Sequence, residues 1–133
     1  METGKKLTLE ALLAKKEQRE MDQMTLRRVE VSSLGGYLVL EKIPLTRLVG
    51  MLDRVADDSL ADNLALNVDI IYACCPLFRN KELQEQYHCA EPTDIVCAVL
   101  DDNMADIDRI VTEIMGMYGL TGGAADLKVV VKN

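Results

Sequence analysis

The sequence predicts a predominantly helical α+β protein, with an N-terminal β-hairpin packed against a bundle of about five helices. Three observations predict it. Two alternating stretches, Leu26–Val31 and Tyr37–Ile43, flank a turn rich in Ser and Gly. Later stretches repeat apolar residues at three- and four-residue steps. Helix-start and helix-stop residues, among them Thr8, Pro76, Asn80, Pro92 and Gly119, punctuate those stretches.

A chain of 133 residues is long enough for one core and too short for two. Residues 1–133 therefore read as a single domain, with a helical arm over 1–24 and a C-terminal segment over 120–133 that is a flexible tail or an edge strand. In the arm, Thr8 is placed to cap a helix, with Glu10 in its first turn and Leu9, Leu12 and Leu13 as a narrow apolar stripe. The expectation is a surface helix docked by those leucines, rather than an arm that docks only on a partner.

Ser32–Gly36 is expected as a five-residue hairpin loop, because Gly35 and Gly36 accept positive φ. A lone hairpin is marginal in water, so it must lean on helices or on a third strand, for which Lys128–Lys132 is the candidate. Pro44 then opens a helix whose Leu45, Leu48, Val49, Leu52 and Val55 share one face. After the break at Asp57-Asp58-Ser59, a helix is expected over Leu60–Cys75, with room for an interruption near Asn67 and a stop at Pro76.

Ile70–Val96 is the expected centre of the core. Asn80 caps a short helix on which Leu83 and Tyr87 share a face, and Glu91 and Asp94 flank Pro92 at the start of the next. Ile95–Leu100 is apolar on every side and is expected to be buried all round. Asp101-Asp102 breaks the chain before a long helix, Met104–Tyr118, ended by Gly119. Its stripe of Met104, Ile107, Val111, Ile114, Met115 and Tyr118 is wider than one neighbour requires.

Composition narrows the function. The net charge of −7 argues against nucleic acid, whose binding rests on Lys and Arg neutralising phosphates. No segment approaches the ~20 apolar residues of a membrane span, and no apolar run of signal-peptide length stands near residue 1, so a cytoplasmic protein with no membrane contact is expected. Charge is uneven: residues 1–28 hold seven Lys and Arg against five Asp and Glu, the rest eight against seventeen. A mildly basic arm precedes an acidic body.

Chemistry finds little purchase. Cys74, Cys75, His88, Cys89 and Cys97 are the residue types that bind zinc, but no C-x-x-C pair occurs and adjacent cysteines rarely converge on one ion. Cys97 lies in an apolar helix, where a thiol is held protonated and is a poor nucleophile for His88 to activate. Glu91, Asp94, Asp101, Asp102, Asp106 and Asp108 lack the order of a calcium loop and read as a solvated acidic face. The glycine pairs 35–36 and 122–123 belong to no phosphate-binding fingerprint and read as turns. No catalytic residue, metal site or cofactor is expected.

One resemblance adds to these readings. Ile71-Tyr72, Cys75-Pro76-Leu77, Lys81-Glu82-Leu83-Gln84, Tyr87 and Glu91-Pro92-Thr93-Asp94-Ile95-Val96, in that order and spacing, resemble the XkdN-like tail assembly chaperones of contractile-tailed phages and PBSX-like prophages. Leu9–Gln18, Val31–Gly36 and Lys42–Leu45 fall where that family has its first helix and hairpin, so the likeness runs from about Leu9 to Tyr118. The resemblance implies a non-enzymatic phage or prophage protein of the bacterial host cytoplasm, absent from the mature tail. Its partners would be the tape measure protein and the tail tube protein, with a homo-oligomer as a further expectation. The candidate partner face is Tyr72, Leu77, Phe78, Leu83 and Tyr87, widened by Met115 and Tyr118. The alternative is a cytosolic helical protein-binding or regulatory module unrelated to tail assembly.

Overall fold

The computed structural model describes residues 6–22, 27–54 and 59–120. In chain order these form α1 (Leu9–Asp22), β1 (Arg27–Val31), β2 (Gly36–Leu40), α2 (Leu45–Asp53), α3 (Leu60–Cys74), α4 (Lys81–Gln86), α5 (Asp94–Val99) and α6 (Met104–Met117). Short 3-10 turns occupy Ser32–Leu34 and Pro76–Arg79. The architecture is α+β and mostly helical, with a two-stranded antiparallel hairpin near the N-terminus.

Side-chain caps fix several helix starts. Thr8 Oγ1 accepts from the Ala11 amide at 3.2 Å, Ser59 Oγ from Asp62 at 3.1 Å and Asn80 Oδ1 from Leu83 at 2.9 Å. Asn103 Oδ1 does the same for Asp106 at 3.1 Å, directly after Asp101 and Asp102, both at positive φ. The expected break thus also supplies the cap of the following helix. Gly119, at φ +76°, ends α6 as its position predicts, and the Leu120 amide returns to the Met115 carbonyl.

The hairpin pairs Arg27 with Leu40 and Val31 with Gly36. Gly36 is therefore a strand residue, and the loop is one residue shorter than expected, because the 3-10 turn and Gly35 at φ +71° reverse the chain by themselves. Val29, Val31, Leu38 and Leu40 turn inward, while Arg28 stacks over the Tyr37 ring on the outer face. β1 leans on α6, where Arg109 donates to the Glu30 carbonyl and Arg27 pairs with Glu113 at 3.4 Å.

α3 and α6 make the most extensive helix pairing and carry the centre of the core, with Ile70, Ile71 and Cys74 from one and Ile107, Ile110, Ile114 and Met115 from the other fully buried. α3 runs uninterrupted through Asn67 and ends at Cys74. Leu48, Met51 and Leu52 seat α2, but Leu45 is exposed at its start. α5 departs from expectation: Ile95, Val96 and Leu100 are buried, whereas Ala98 is exposed and Cys97 half-buried. Its few residues meet the core with one face, and small side chains stand on the other. Met104 likewise lies exposed at the first turn of α6, outside the stripe it was assigned to.

The arm differs most. Every residue of 9–20 is exposed, with Leu9 at 73 %, Leu12 at 53 % and Leu13 at 51 %, so the leucines do not dock α1 on the body. Lys128–Lys132, Leu26 and Val55 lie outside the described residues, as does the C-terminal segment beyond Leu120.

Candidate partner-binding site

The stretch from the end of α3 to α4 makes an abrupt corner. Cys75 leaves the helix in extended geometry, Pro76 starts the 3-10 turn where its missing amide costs nothing, and Asn80 opens α4 at once. Two side chains brace it. Arg79 donates to the Tyr72 and Ala73 carbonyls at 3.1 and 2.7 Å, satisfying the free end of α3, and reaches Glu41 at 2.9 Å. Gln84 donates to the Phe78 carbonyl at 2.8 Å and to the Tyr72 hydroxyl at 3.3 Å, tying α4 to the turn and to α3.

That geometry sorts the candidate face. Leu77 and Tyr87 are exposed, at 56 % and 46 %, and Leu83 lies half-buried between them in sequence, its outer edge open and its inner edge on the core. Tyr72 is half-buried, with its hydroxyl engaged by Gln84. Phe78 and Met115 are wholly inside, which corrects their assignment to a binding surface. In a 3-10 turn neighbouring side chains point apart, and Phe78 takes the inward place while Leu77 takes the outward one. Met115 is enclosed because α3 and the hairpin both pack on α6, covering the width that the sequence left unassigned.

Tyr118 is also withdrawn from a direct role. Its hydroxyl accepts from the Ile43 amide at 2.8 Å and donates to the Ile43 carbonyl, while Lys42 stands over its ring. Burial, the larger influence, raises its pKa above the usual phenol value, opposed by the Ile43 bond. Cys74 lies at the same place, and burial pushes its thiol up to about 11. Burial raises the Cys75 thiol too, and desolvation followed by nearby Asp102 and Asp94 raises Cys97. Thiols held protonated are poor nucleophiles and poor metal ligands at neutral pH. Among the described residues no three of His, Cys, Asp and Glu converge on one point.

The accessible site is therefore small: Leu77, the outer edge of Leu83 and Tyr87 on a braced corner, with Glu82 and Glu85 on the same short helix. Arg79 and Gln84, which hold it, are given no site role by the sequence, Gln84 figuring only in the Lys81-Glu82-Leu83-Gln84 stretch of the resemblance. A basic residue just past a helix end was the available signal for Arg79, and no spacing rule singles out Gln84. Comparison with family models, curated proteins and solved structures finds no match to this chain.

Proposed function

We propose that this protein is a tail assembly chaperone of a phage or prophage, a non-enzymatic factor that holds the tape measure protein in a soluble form while the tail tube assembles around it. The observation that carries the proposal is that Leu77 and Tyr87 stand exposed on the corner that also bears the densest part of the XkdN-like resemblance. Large apolar side chains on a braced surface suit a partner that presents an amphipathic helix, which lays its apolar stripe against such a patch. A small patch gives weak contacts, and weak contacts are what a factor needs if the growing tube is to displace it.

Membrane insertion has no support among the described residues, since no helix is long and apolar enough to cross a bilayer. The test is co-expression with the tape measure protein of the same phage or prophage, followed by size-exclusion chromatography of the soluble fraction. Co-elution that depends on Leu77 and Tyr87 is expected. A partner that stays insoluble, or elutes alone, overturns the proposal.

A further inference from the structure

We propose that Tyr72 is the polar anchor of the corner: its hydroxyl donates a hydrogen bond to an uncharged side-chain oxygen of the client, and Gln84 is the positioning residue that leaves the proton free to do so. The inference rests on the client-holding role given above to the corner, and it names the one directional contact within it.

One amide nitrogen decides the direction. Gln84 Nε2 lies 2.8 Å from the Phe78 carbonyl oxygen and 3.3 Å from the Tyr72 hydroxyl. A carbonyl oxygen only accepts, so the Phe78 carbonyl fixes which end of the Gln84 amide is the nitrogen, and both hydrogens of that nitrogen are then committed. The Tyr72 hydroxyl faces a donor there and must accept. Its own proton points elsewhere, and among the described residues no acceptor takes it.

The residue is also held still. Tyr72 stands half-buried in the last turn of α3, its carbonyl bonded by Arg79 at 3.1 Å and its tip by Gln84, and it shares the corner with exposed Leu77 and Tyr87. A hydroxyl oriented before the client arrives costs less ordering when the client bonds to it. A client helix spends its backbone carbonyls on its own amides, so the acceptor is a side-chain oxygen at the flank of its apolar stripe. Glu82 and Glu85 outnumber Lys81 on α4, which makes an Asn or Gln oxygen a better match than a carboxylate. A client stripe without that oxygen leaves the hydroxyl covered and unpaired, and is bound less tightly.

Competition for a limiting client is the test. Tagged wild type and an untagged variant are co-expressed with the tape measure protein, and the variant's share of the soluble complex is measured, normalised to its folded fraction by circular dichroism. Tyr72→Phe keeps the ring and removes the proton, and its share is expected to fall about fivefold. Gln84→Met and Gln84→Glu both lose the bond to the Phe78 carbonyl, but only the carboxylate captures the Tyr72 proton. Gln84→Glu is therefore expected to fall about fivefold below Gln84→Met, and the two to be equal once Tyr72→Phe is added. A Tyr72→Phe protein that keeps its full share overturns the inference. So does a gap between the Glu and Met variants that persists beside Tyr72→Phe, since added charge alone then explains it. A client held by wild type and Tyr72→Phe alike sinks only this inference, whereas a tape measure protein that stays insoluble beside wild type sinks the chaperone proposal and this one with it.

Discussion

The Tyr118 hydroxyl, at the end of α6, holds both the amide and the carbonyl of Ile43, in the connection between β2 and α2. One side chain thus completes the backbone hydrogen bonding of a residue 75 positions away. Tyr118→Phe leaves both Ile43 groups without that partner in a half-buried place. A loss of about 1–3 kcal/mol is expected in urea denaturation, with little change in the transition's slope.

Alkaline pH is expected to weaken the fold through Cys74. Its folded thiol titrates at about 11, against an ordinary value of 9.0. Between those values the unfolded chain releases a proton that the folded chain keeps, so stability is complete below pH 9.0 and declines as pH rises toward 11. Tyr118 and Cys75 shift in the same direction and add to the decline. Melting temperatures across that range, compared with those of Cys74→Ala, check it: the variant's curve is expected to be flatter.

Adjacent residues at the corner are expected to part company. Phe78→Ala empties a fully enclosed site and should cost about 3–5 kcal/mol. Leu77→Ala, on the exposed side, should leave stability within about 0.5 kcal/mol of wild type and yet reduce client co-elution. Denaturation and pull-down of the same two proteins make the comparison. Equal stability losses at the two positions contradict the inside–outside assignment.

Asn80→Ala removes the cap of α4 and is expected to cost about 1 kcal/mol. Because α4 has only six residues, the loss should also loosen Leu83 and Tyr87. Faster amide hydrogen exchange over 81–87 than over α6 is the measurement, with Asn80→Asp, which retains a capping oxygen, expected to restore protection.

Local chemistry was the part of this fold most legible in the sequence. Thr8, Asn80, Pro76 and Gly119 act within a few residues of themselves, and each does what its type and position predict. What escaped was direction. Phe78 and Leu77 are both large and apolar, and a 3-10 turn offers no repeating period to say which of them points inward. The width of the α6 stripe was visible, but the hairpin that covers part of it lies more than 70 residues earlier, and nothing local records that packing. Leu9, Leu12 and Leu13 have the spacing of a docked helix, yet spacing cannot specify which surface receives it. The open apolar corner was likewise an outcome of packing, since an outward Leu and an inward Leu are spelled alike.

The Arg109 guanidinium that rests on the Glu30 carbonyl has a further consequence. A ribbon of only two strands has both margins open to another chain's backbone, and margins of that kind recruit more strands until fibres grow. A cation bonded to β1 and Glu113 salt-bridged to Arg27 put bulky, hydrated groups where an added strand would have to lie. The β1 margin of the ribbon is thereby closed to the strand addition from which fibres grow.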